Sequence, residues 1–169
     1  MKKIYLLALV VIGFSANSFA QSEKNATATA TIIAPINLSK DADMSFGNIA
    51  VNPTTPGGTV LLPAVTGTPG RVASAGVTLP AVTGTPLAAK FTVTGEIGSA
   101  YTISLPATIV LTGTGTNMSI VPNCSITLLN GGALTTGSQI FYVGGTLTVA
   151  AVQTAGAYSG TFNVSVNYN

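Results

Sequence analysis

The clearest pattern in the chain is its last one: Phe162, Val164, Val166 and Tyr168 alternate with Thr161, Asn163, Ser165, Asn167 and Asn169. A period of two with one apolar face belongs to a half-buried β-strand. The same alternation recurs along the sequence. Thr, Val, Ile, Ser and Gly crowd most segments, and apolar positions at helical spacing are few. Turn signals punctuate the pattern at Asn52-Pro53, Pro56-Gly57-Gly58, Pro69-Gly70, Gly95 to Gly98, Gly113 to Gly115, Pro122-Asn123, Asn130 to Gly132, Gly144-Gly145 and Gly156. Strands are therefore expected near residues 26–34, 45–51, 58–63, 74–80, 90–95, 100–105, 108–112, 117–121, 125–129, 139–143, 146–152 and 159–168, some of these being pieces of one strand broken by a bulge or kink. The predicted fold class is all-β: an antiparallel, Ig-like or pilin-like β-sandwich of about seven to ten strands.

Burying Phe162, Val164, Val166 and Tyr168 in such a sandwich would contribute on the order of 6–10 kcal/mol, as an upper figure. The outer edge of that strand poses a problem. Natural edge strands are protected by charges, prolines or bulges, and Gly156 to Tyr168 contains neither a charge nor a proline. A covering strand is expected, from this chain's own N-terminal part or from another molecule. The segment NATATATIIAP has the required form. Ala26, Ala28, Ala30 and Ile32 make one face, and Thr27, Thr29, Thr31 and Ile33 the other. Strand addition of this kind supplies main-chain hydrogen bonds and side-chain pockets together, and head-to-tail contacts that do not close build filaments.

The opening MKKIYLLALVVIGFSANSFA has two lysines, an apolar run and a small-residue end, so residues 1–20 are expected to be a signal peptide cut after Ala20. Its apolar run is too short to span a bilayer as a helix. No cysteine follows the cut to carry a lipid, and no later segment has the length and hydropathy of a membrane helix. The expectation is one sandwich domain over 21–169 with an extended arm at 21–33, exported to the periplasm and then to the cell surface or beyond.

Without Lys2 and Lys3 the chain carries eight charges, Glu23, Lys24, Lys40, Asp41, Asp43, Arg71, Lys90 and Glu96, and is formally neutral. A charge-poor surface invites association and gives no electrostatic basis for binding nucleic acid. The chain has no histidine, which excludes a Ser-His-Asp triad and histidine metal sites. Glu23 lies in the arm and Glu96 in a glycine-rich turn, while Asp41 and Asp43 share one loop, so no pair of carboxylates is placed to face a substrate. An enzyme is not expected, nor a cofactor or metal site. Lys40–Asp43 reads as a solvated loop more than a calcium loop. Cys124 shares parity with Ile126 and Leu128, which points a lone thiol at the core; the alternative is an intermolecular disulfide. Tyr101, Tyr142 and Tyr158 lie in strand-like patterns where packing explains them. The octapeptide LPAVTGTP occurs at Leu62–Pro69 and again at Leu79–Pro86, and reads as a duplicated strand and turn, with a ligand loop as the alternative.

The segments TATIIAPINLSKDADMSFGNIAV, FTVTGEIGSAYTISLP and GGTLTVAAVQTAGAYSGTFNVSVNYN resemble a family of secreted bacterial β-sandwich domains of unknown function, related to the spore-coat U and Mat/Ecp-type fimbrial subunits of the chaperone–usher class. Tyr168 is penultimate and Gly156 is the fourteenth residue from the end, as in many such subunits. The chain departs from the pattern in its single cysteine and in the small side chains at Ala26 to Ala30. The resemblance implies a non-enzymatic structural subunit of a surface fibre or coat, assembled by strand addition. Its last strand would contact first a periplasmic chaperone and then a neighbouring subunit. The alternative is a self-contained monomeric adhesin or carbohydrate-binding module.

Overall fold

A computed structural model describes residues 21–52, 56–81, 84–126 and 131–169. The signal-peptide reading of residues 1–20, Leu128 and the far end of the strand expected at 125–129 lie outside these. The chain divides into two compact units, Met1–Ile32 and Ile33–Asn169. In the first, residues 21–32 are exposed and form neither strand nor helix. The expected strand at 26–34 is thus corrected: the chain is first in a ladder at Asn37. A row of alanine methyls buries under about 1 kcal/mol each, against about 1–2 kcal/mol to order each backbone unit.

The second unit is all-β and antiparallel, and the described residues contain no helix. Its strands are β1 Asn37–Ala42, β2 Ala50–Val51, β3 Gly58–Leu62, β4 Val72–Ala73, β5 Val77–Thr78, β6 Ala89–Thr94, β7 Ala100–Ser104, β8 Ile109–Gly113, β9 Met118–Cys124, β10 Gly132–Ala133, β11 Ser138–Val149, β12 Tyr158–Ser159 and β13 Ser165–Tyr168. One large sheet runs β1-β6-β11-β9-β8-β12, with β3 and β4 joined beside β11. A smaller sheet runs β10-β7-β13, and β2 pairs β5.

Strand β11 is the spine. Along one edge it pairs β6 over Ser138–Val143 and then β3 over Gly145–Val149; along the other it pairs β9 over Val143–Thr148. This corrects the turn expected at Gly144-Gly145. Both glycines are buried in the middle of the strand. A Cβ on Gly145 would lie 2.6 Å from the Ile120 side chain and 2.9 Å from the Val121 carbonyl. The glycines are there to admit close neighbours, not to reverse the chain.

Two apolar clusters fill the space between the layers. One holds Ala89, Phe91, Val93, Tyr101, Ile103, Leu134, Phe141 and Val143, with Phe91 stacked on Phe141 at 5.3 Å. The small sheet covers it. The other holds Phe46, Val60, Leu62, Val77, Ile109, Ile120, Leu147 and Val149. The β2–β5 side covers it in part, and Met44 and Phe162 touch both clusters.

A further correction concerns Lys40–Asp43. Lys40 and Asp41 belong to β1, which lies against β6 with a register shift between Lys40 and Ala42. Asp41 Oδ2 accepts from Thr92 Oγ1 at 2.6 Å and lies 3.7 Å from Lys90 Nζ, while Asp43 pairs with Lys40 at 2.6 Å. Charges along a strand at the rim of a sheet discourage unwanted pairing there. No described helix is long and apolar enough to cross a membrane.

Candidate functional site

The predicted C-terminal strand is only partly built. Residues Ser165–Tyr168 form β13 and pair with Tyr101–Ser104 of β7. Residues 160–164 are in no ladder. Strand β13 ends its sheet, so among the described residues its other edge is unpaired. Phe162, Val164, Val166 and Tyr168 do face inward, at the margin of the core. All four are half-buried rather than filled in, so the full burial expected of them is not reached.

Against the segment that precedes β13 lies a groove of about 960 Å³. One wall is Met44–Val51 and the other runs from Gly156 to Phe162. The floor is the inner face of the large sheet: Phe91, Ile109, Leu111, Met118, Ile120, Leu147 and Val149. Of these floor side chains Phe91, Ile109, Ile120, Leu147 and Val149 are buried, and Leu111 and Met118 are half-buried.

Its rim is mostly uncharged, with Lys40 and Asp43 at one end. Gln153 also lines it; its Nε2 donates to the Thr116 carbonyl at 2.5 Å, and its Oε1 is buried without a partner. Gly156 has φ +155°, and a side chain there would run into Thr114, so glycine shapes this end of the wall.

Tyr168 lies outside the groove lining. Its hydroxyl accepts from the Glu96 N–H at 2.6 Å and donates to the Ala34 carbonyl at 2.9 Å. The Ala34 N–H donates to Glu96 Oε2 at 2.9 Å. Both backbone groups of Ala34 are held, which fixes where the polypeptide joins the sandwich. The groove lining ends at Phe162, before β13 begins, so this clamp and the groove are separate features of the C-terminal segment.

The sequence pointed to one wall through Phe162 and Gly156. It missed the floor and the Met44–Val51 wall, which carry no chemical signature beyond alternation. Ala26, Ala28, Ala30 and Ile32 are exposed, Ile32 at 98%. Cys124 is half-buried against the first cluster, and burial pushes its thiol up, offset in part by hydrogen bonds from the Ile126 and Ser125 N–H groups. Tyr101 is buried, its hydroxyl donating to Gln139 Oε1 at 2.9 Å, and burial raises its phenol too, with the nearby Cys124 adding to the effect. No cluster of three or more His, Cys, Asp or Glu side chains occurs among the described residues.

Residues 36–168 match the model of the domain of unknown function DUF4402. The chain belongs to the DUF4402 family. The match begins just after Ala34 and takes in every described strand, so the groove, both its walls and the Tyr168 and Glu96 halves of the clamp lie in this chain's DUF4402 domain. No curated protein and no solved structure gave a significant match.

Proposed function

We propose that this DUF4402 protein is an exported, non-enzymatic structural subunit of a cell-surface fibre or coat, and that its groove receives a β-strand from a neighbouring subunit. What supports the reading is the groove between Met44–Val51 and Gly156–Phe162, together with a C-terminal strand whose outer edge has no partner among the described residues. An unpaired edge leaves main-chain donors and acceptors open to another strand. One extended segment answers this.

The donor in this reading is the Ala26–Ile32 arm of another copy, exposed and in no ladder. A periplasmic chaperone would occupy the groove before assembly. In this reading each subunit donates its arm to one neighbour and accepts an arm from another. Such heterologous contacts extend into a filament. The leader-like residues 1–20 fit export.

The test compares the chain recovered after export with one lacking residues 21–31, by size exclusion over a range of concentrations and by thermal unfolding. Concentration-dependent polymers that vanish with the arm are the expected result. A monomer at every concentration, merely less stable without the arm, would instead mean a self-contained adhesin or ligand-binding module.

A further inference from the structure

The repeated octapeptide and the Ser45-Phe46-Gly47 segment meet at one side chain. Arg71 follows the first copy of the repeat closely. Its Nη1 donates to the Phe46 carbonyl at 2.5 Å and to the Asn48 carbonyl at 2.8 Å. Gly47 stands between these carbonyls with φ +63°, a left-handed turn that lets both reach the same nitrogen. Gly84, in the second copy, packs against that turn: a Cβ there would lie 2.8 Å from Gly47 Cα and from the Asn48 nitrogen. Arg71 takes part in neither of the ion pairs found among the described residues. Main-chain pairing holds the same wall at Ser45, which exchanges two 2.8 Å bonds with Leu87, and at Ala50–Val51 through β5. Arg71 holds the stretch between.

The geometry points to Arg71 as the positioning residue of this groove wall, with the two repeat copies as its mount. With Gly47 in its left-handed turn, one guanidinium nitrogen holds both carbonyls, and hydrogen bonds to charged groups are about twice as strong as neutral ones, so Arg71 fixes the course of Phe46–Asn48 along the groove. The repeat therefore serves as a bracket and not as a ligand loop. The consequence for assembly rests on the strand-addition reading; the bracket itself does not.

The test uses Arg71→Gln and Arg71→Lys in the chain recovered after export, followed by amide hydrogen exchange and by self-association. Arg71→Gln is expected to speed exchange at Ser45, Gly47 and Leu87 by about tenfold or more, and to leave the β11 amides unchanged. Arg71→Lys, with one compact donor, should fall between. The concentration at half-assembly should rise by about tenfold with Arg71→Gln. Unchanged exchange in the wall, or an equal rise in β11, overturns the assignment. Faster wall exchange with unaltered assembly overturns the wall's bearing on the incoming strand. If the unaltered chain does not assemble, the strand-addition reading fails, and exchange alone decides the role of Arg71. Should Arg71→Gln not fold, Arg71→Lys carries the same measurements.

Discussion

Tyr168→Phe removes one hydroxyl and leaves the ring. That hydroxyl makes a 2.6 Å bond from the Glu96 N–H, which is partly buried, and a 2.9 Å bond to the exposed Ala34 carbonyl. The exposed carbonyl regains water and contributes about 0.5 kcal/mol at most; the N–H left without a partner costs about 1–1.5 kcal/mol. The sum is about 1.5–2 kcal/mol, or roughly 5 °C in Tm for a domain of this size. Urea unfolding followed by far-ultraviolet circular dichroism measures it. Glu96→Ala removes the carboxylate that accepts from the Ala34 N–H. Both side chains grip one residue, so the double variant should be non-additive by about 0.5 kcal/mol or more. A Tyr168→Phe protein within about 0.3 kcal/mol of the unaltered one, or a strictly additive cycle, would refute the clamp.

Two further outcomes follow from the packing and the titrating groups. Gly145→Ala places a methyl group 2.6 Å from the Ile120 side chain in the middle of β11, and should destabilise by about 1–3 kcal/mol; an unchanged urea midpoint would mean that the strand is not packed as described. Burial raises the Cys124 thiol and the Tyr101 phenol, so the fold favours their neutral forms. Their contribution is intact below the thiol's unfolded range, about pH 8.5, and is lost as pH rises through the raised values. The urea midpoint should fall between pH 7 and pH 10, and Cys124 should react with thiol reagents more slowly in the folded than in the unfolded chain; equal midpoints and equal rates would contradict this.

Strands β3, β6, β7 and β8 were legible to within a residue or two, because each combines alternation with a flanking turn signal. Strand β1 was not. Asn-Leu-Ser-Lys-Asp-Ala buries little and carries charge, as a rim strand does, and so it reads as a loop. Gly144-Gly145 has the composition of a turn, and only the neighbours pressed against it show why it lies inside a strand. The arm shows that alternation marks capacity for a strand, while pairing depends on a partner. The groove was legible only at Phe162 and Gly156. Its floor residues alternate like any other core position, and most of them are core positions. Arg71 carried a fainter signal: a lone cation in a stretch without a nearby carboxylate.

The arrangement around β11 also dictates an order of events. Gly58 pairs with Val149, Ala89 with Val143 and Ser119 with Thr148, so none of these ladders can be completed before position 143 is on hand. Pairings so distant along the chain form slowly. Until they do, β3 with β4, β6 with β1 and β9 with β8 are separate pairs, each with an edge awaiting β11. A nascent molecule of this kind is most vulnerable to mispairing while its spine is still arriving, and gains its core late and all at once.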